Sequence, residues 1–114
     1  MKTNELSGPA LDWAVAKCEG VDEEAFRLFY RDAEGDGDAE FHYSTDWAQG
    51  GPIIEREGIF CKPTINKGWR SYQRDPFSNG ICNSQYGPTP LISAMRCYVA
   101  SKLGDTVHIP EELA

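Results

Sequence analysis

Apolar residues recur along this chain at three- and four-residue steps in two places. Leu91, Ile92, Met95, Tyr98, Val99 and Leu103 do so between Thr89 and Gly104, a spacing that predicts a helix packed through one stripe. Thr89 is placed to cap it, Pro90 falls in its first turn, and Gly104 ends it just after Lys102. Leu11, Ala14, Val15 and Cys18 make a second stripe, predicting a helix from about Gly8 to Glu19 with Ser7 as N-cap, Pro9 in the first turn and Gly20 past the end. Alternation with period two appears where Phe26, Leu28 and Tyr30 oppose Arg27, which predicts a half-buried strand over residues 25–31.

A second strand is expected at about residues 40–44, with the acidic run DAEGDGDAE as the hairpin connection and Gly35 and Gly37 supplying positive φ. The run also resembles the start of a calcium loop, but Tyr43 stands where the bidentate glutamate of an EF-hand would have to be. Further along, Pro52 is placed to begin a short helix closed by Gly58. Strands are expected at residues 59–62 and 69–73, an irregular loop from Arg74 to Gly87, and room for one short edge strand before Pro110. These elements make an α+β fold, a small antiparallel sheet packed by two to three helices, and 114 residues suit one domain over residues 1–114.

Charge changes the picture in one region. Eleven basic residues against eighteen acidic give a net charge of −7, which argues against general nucleic-acid binding. Between Glu57 and Asp75, however, there is no acidic residue, and Lys62, Lys67, Arg70 and Arg74 all fall there. No apolar run has the length of a signal peptide or membrane span, so a soluble intracellular protein with no membrane partner is expected. The four cysteines form no CxxC pair and His42 and His108 stand far apart, so no metal or other cofactor is expected, and the thiols are expected to stay reduced.

Candidate chemistry concentrates in STDWAQGGPIIEREG. A Gly50-Gly51-Pro52 turn into a helix would expose backbone N–H groups to an anion or carbonyl oxygen. Before it, Trp47 offers a stacking face, and Ser44, Thr45 and Asp46 offer hydrogen bonds; each is equally at home as a turn, a cap or a core residue. The basic segment interleaves cations with rings: Lys62, Lys67, Trp69, Arg70, Tyr72, Arg74. Such a pattern suits a nucleotide, its phosphates on Arg or Lys and its base on Trp69 or Tyr72, but it equally describes a half-buried strand with a solvated basic edge. Tyr86-Gly87-Pro88-Thr89-Pro90 forms a rigid turn into the last helix, aiming helix-N-terminal N–H groups outward, while Arg56 and Arg96 are candidates for either ion pairs or ligand contact. No P-loop, GxSxG, HExxH or GxGxxG pattern occurs and neither histidine has an evident nucleophile beside it, so no enzymatic activity and no catalytic residue are expected.

Three blocks, LSGPALDWAVAKCEG, STDWAQGGPIIEREGI and YGPTPLISAMRCYVASKLGDTVHIPEEL, resemble the NinX-like family of small proteins from tailed phages and prophages of enteric bacteria. The family pattern falls on Leu11, Asp12, Ala14 and Val15, then on Thr45, Asp46, Trp47, Gly50, Gly51, Pro52 and Ile53, then on Gly87, Pro88, Thr89, Pro90 and Arg96. The resemblance implies a phage protein made in the host bacterial cytoplasm and labels none of these residues catalytic. Small non-structural phage proteins commonly counter host defence, some by sequestering nucleotide signals, and by that analogy a non-catalytic, homo-oligomeric binding protein for a nucleotide-like small molecule is expected. Thr45, Asp46, Trp47, Gly50, Gly51, Arg56, Trp69, Arg70, Tyr72, Arg74, Thr89 and Arg96 are its candidate ligand contacts. The alternative partner is a host protein, bound and inhibited through the acidic surface.

Overall fold

A helix with apolar residues on nearly every side has no face to give to water and must be wrapped. Helix α3 (Pro90–Leu103) is such a helix: Leu91, Ser93, Ala94, Met95, Cys97, Tyr98, Val99 and Ala100 are all buried. Around it, in a computed structural model that describes residues 1–26 and 41–113, pack helix α1 (Gly8–Cys18), helix α2 (Trp47–Glu57) and a three-stranded antiparallel sheet. The fold is α+β, as the pattern of elements predicts. The ends of α3 are also as expected: Thr89 Oγ1 accepts the N–H of Ile92 at 3.1 Å, Lys102 occupies the last turn, and Gly104 follows.

The sheet runs in the order β1 (Phe60–Pro63), β2 (Trp69–Arg74), β3 (Ile81–Gly87). Phe60 pairs with Tyr72 and Lys62 with Arg70 across the first ladder, and Arg70 with Tyr86 across the second, with an irregularity between Ser71 and Gln73. The expected loop from Arg74 to Gly87 is therefore corrected, because its second half is β3. Asn83, Ser84 and Gln85 resemble loop residues, but a strand with an open face and edge tolerates them, and Asn83 takes up the bulge at φ 56°. Where α3 meets the sheet, Ser71 and Ser93 hydroxyls lie 2.6 Å apart, and Ser93 donates to the Pro90 carbonyl at 2.9 Å. Small side chains at this junction let helix and sheet approach closely with their polar atoms satisfied.

Helix α2 departs from expectation at its start. Asp46, rather than the Gly-Gly pair, is the N-cap, its carboxylate accepting the Ala48 N–H at 2.9 Å, so Gly50, Gly51 and Pro52 lie inside the helix. Pro52 removes only the hydrogen bond to Ala48, an exposed residue whose carbonyl water can reach. The strand expected at 40–44 is likewise absent from residues 41–44: Tyr43, Ser44 and Thr45 form a turn, with the Asp46 N–H on the His42 carbonyl at 2.8 Å. Residues 23–26 are helical, not the start of a strand, and Phe26 is buried against Phe41 with ring centroids 5.1 Å apart. The remainder of that expected strand and the acidic hairpin lie outside the described residues. In the tail, one antiparallel bridge joins Thr106 to Lys2, and the Val107 N–H meets the Met1 carbonyl.

Candidate functional site

Strand alternation divides the sheet into two chemically different faces. Toward α3 it turns Cys61 and the fully buried Ser71. The opposite face carries Phe60 and Lys62 from β1, Arg70, Tyr72 and Arg74 from β2, and Ser84 and Tyr86 from β3. Phe60 is 47% and Tyr86 41% exposed, so rings that would normally be buried lie open beside cations. None of the three strands contains an acidic residue.

Contacts on this face are almost all between rings and cations. Phe60 and Tyr72 stack at 5.4 Å with planes 11° apart. Arg70 lies 5.2 Å and Lys62 5.9 Å from the Tyr72 ring, Arg74 5.7 Å from Phe60, and Lys67 5.3 Å from Tyr86. Arg70 Nε also donates to Ser84 Oγ at 2.9 Å. None of these four cations forms an ion pair with a described residue. Their charge is held in place by rings yet left uncompensated, which is the electrostatic condition for attracting an anion.

Beside this face, along the edge of β3, opens a cleft of about 860 Å³ whose walls include Asn4, Lys67, Gln85, Tyr86 and Arg96. Gln85 turns its Oε1 into the protein without a hydrogen-bond partner. Arg96 is a strap here: its Nε donates to the Leu6 carbonyl at 2.7 Å and its Nη1 to the Tyr86 carbonyl at 2.8 Å. Burial lowers its pKa below the ordinary arginine value.

The other candidate residues fall elsewhere. Thr45, Asp46, Trp47, Gly50 and Gly51 belong to the start of α2, which packs on α3 rather than on the open face. Trp47 is 53% exposed and presents a free ring surface, but the N–H of Gly50 is spent on the Asp46 carbonyl at 2.9 Å. The anticipated cradle of free N–H groups at the Gly-Gly pair is thereby corrected. Arg56 is held by Glu19 at 2.6 Å, by Glu57 at 2.9 Å and by the Tyr98 hydroxyl at 3.1 Å. That guanidinium, with the Tyr98 hydroxyl, holds the Glu19 carboxyl below its usual range against a smaller opposing effect of burial. Trp69 shares the helix-facing side with Ser71, leaving Tyr72 and Arg70 together on the open one. Thr89 uses its hydroxyl as a cap.

Sequence reasoning missed Phe60, Ser84 and Tyr86 as members of this face. The Phe60 and Lys62 alternation was the available signal; β3 was hidden by its loop-like composition. The structure also bears on thiol reactivity: burial pushes the Cys97 thiol up to about 12 and Cys18 up to about 11, so neither is a thiolate at neutral pH. Among the described residues no group of three or more His, Cys, Asp or Glu side chains is arranged to hold a metal ion, and no helix is long and apolar enough to cross a membrane.

Comparison with curated proteins gives no match. The family described as Bacteriophage P22, NinX does match, over residues 2–102, a span that takes in α1, α2, the whole sheet and nearly all of α3. The chain thus belongs to the phage NinX family.

Proposed function

We propose that this phage-family protein is a non-catalytic binding protein that sequesters a nucleotide-derived small molecule and so blunts a host antiviral response. The observation that carries the reading is the open sheet face, where Phe60, Tyr72 and Tyr86 lie among Lys62, Lys67, Arg70 and Arg74 with no acidic side chain in the strands. Bases stack on such rings whatever their identity, and phosphates pair with the neighbouring cations. The acidic remainder of the chain keeps polyanions such as duplex DNA away, which favours a small ligand over a long one.

Native mass spectrometry of the protein purified from phage-infected, defence-bearing cells tests this directly. Recovery of an intact nucleotide near one per site, unaltered after prolonged incubation, supports the proposal; accumulation of a converted product would overturn its non-catalytic part.

A second reading, inhibition of a host protein, is favoured by a separate observation. Ile65 and Phe77 are each 98% exposed, one in each hairpin turn of the sheet, where apolar side chains are suited to anchor a protein partner. Co-purification of a host protein without any small molecule would select that reading.

A further inference from the structure

The open face is organised as two stacking platforms rather than one. Tyr86 on β3 stands in one row with Arg70 and Lys62, and the stacked pair Phe60 and Tyr72 stands in the next row. Rows on one face of a sheet are about 6.6 Å apart and adjacent strands about 4.8 Å apart, so Tyr86 and Tyr72, one row and one strand apart, stand on a diagonal of about 8 Å. Bases stacked on each other in a nucleic-acid strand are separated by only about 3.4 Å, so two bases that used both platforms would have to be unstacked, each resting on its own ring.

The cations repeat with the rings. Lys67 lies against Tyr86, while Lys62 and Arg74 lie against Tyr72 and Phe60. Arg70 stands between the platforms, beside the Tyr72 ring and tied to Ser84, with Tyr86 as its cross-strand neighbour. A phosphate joining two splayed bases would meet Arg70, and terminal or second phosphates would meet the lysines.

Resting on the nucleotide reading above, we infer that the ligand is a two-base nucleotide, with one base on Tyr86, the other on the Phe60 and Tyr72 pair, and the bridging phosphate on Arg70. The open sheet of single-strand RNA readers holds two or three bases on exposed aromatics in the same physical way. A mononucleotide fills either platform but not both.

Calorimetric titration of the full chain with AMP and with the dinucleotide ApA tests the inference. ApA is expected to bind one per chain and about 10- to 100-fold more tightly than AMP, the gain of one further stacked base. AMP is expected to bind two per chain, falling to one in Tyr86→Ala. That variant should lose most of the ApA advantage, whereas Tyr86→Phe, which keeps the ring, should retain it. Phe60→Ala is expected to weaken ApA comparably, and both positions are exposed enough for the variants to fold. If AMP binds but ApA binds no more tightly, the two-base inference is overturned and the nucleotide reading stands. Should neither bind, both fall together.

Discussion

Ser44 delivers both its backbone N–H, at 2.9 Å, and its hydroxyl, at 2.7 Å, to a single buried oxygen of Asp12. Asp12 sits in the buried run of α1, so this pair ties the turn before α2 to the first helix across thirty-two residues of chain. Asp12→Ala strands two buried donors and is expected to cost about 2–4 kcal/mol. Asp12→Asn keeps an acceptor oxygen and should cost less. Burial raises the Asp12 pKa above its ordinary 3.8, outweighing the lowering effect of the Ser44 hydrogen bonds. The folded state therefore holds this proton more tightly than the unfolded one, and its contribution is fully present below pH 3.8 and lost as pH rises through the folded value. Urea titrations of wild type and Asp12→Asn across acid pH check this: that falling component should vanish in the variant.

Glu19 behaves in the opposite sense. Arg56 and the Tyr98 hydroxyl hold its carboxyl below the usual 4.5, so its contribution is fully present above pH 4.5 and disappears as pH falls through the depressed value. Glu19→Gln is expected to remove about 1–2 kcal/mol at neutral pH, and in urea titrations its stability should fall less steeply than that of wild type as pH drops below 4.5. Arg56 is half exposed, so Arg56→Ala should cost less than Glu19→Gln. Tyr98 connects both to the core, and burial with the adjacent carboxylate keeps its phenol protonated well beyond the physiological range.

Two adjacent glycines in α2 should respond to alanine with opposite sign. A Cβ on Gly50 would stand 2.4 Å from the Tyr43 carbonyl oxygen and 2.5 Å from Leu91 Cδ1, a clash with backbone that Gly50→Ala relieves only by moving the helix, at a cost of about 1–3 kcal/mol. On Gly51 the nearest atom would be Trp47 Cε3 at 3.9 Å, an ordinary contact. Gly51→Ala is therefore expected to stabilise by about 0.5–1 kcal/mol through helix propensity alone. Thermal melts of the two variants measure both.

How far these features were legible depends on whether local chemistry or tertiary contact decides them. Helix α3 was legible to its ends, because Thr89, Pro90 and Gly104 act within one turn of where they stand. Strands β1 and β2 followed from alternation. Strand β3 did not, since Asn83, Ser84 and Gln85 have weak strand preference and are held by pairing with β2. The Gly50-Gly51-Pro52 motif misled for a related reason: Gly50 is required by the close approach of the Tyr43 carbonyl and of Leu91 from another helix, contacts that exist only once the turn and α3 are in place. Among candidate site residues, Arg70, Tyr72 and Arg74 share the open face, whereas Trp69 falls on the other side by alternation. Phe60 and Tyr86 join that face only through the register of the ladders.

The two arginines nearest Tyr86 should separate structural from binding roles. Arg96 donates to the carbonyls of Leu6 and Tyr86, linking the N-terminal segment to the last strand. Arg96→Ala leaves both acceptors without their charged donor, and a stability loss of about 2 kcal/mol is expected. Lysine, with one compact ammonium, does not reproduce the two-point geometry and should restore little. Arg70, by contrast, makes its side-chain contacts with the Tyr72 ring and Ser84 on an open face, so Arg70→Ala should leave the melting temperature nearly unchanged. If Arg70 meets a phosphate, the variant should weaken nucleotide binding and reduce the slope of log affinity against log salt by about 0.7. Calorimetry at several salt concentrations, paired with thermal melts, reads both effects on the same samples. An unchanged salt slope in Arg70→Ala would remove this arginine from the binding face, whatever its effect on affinity.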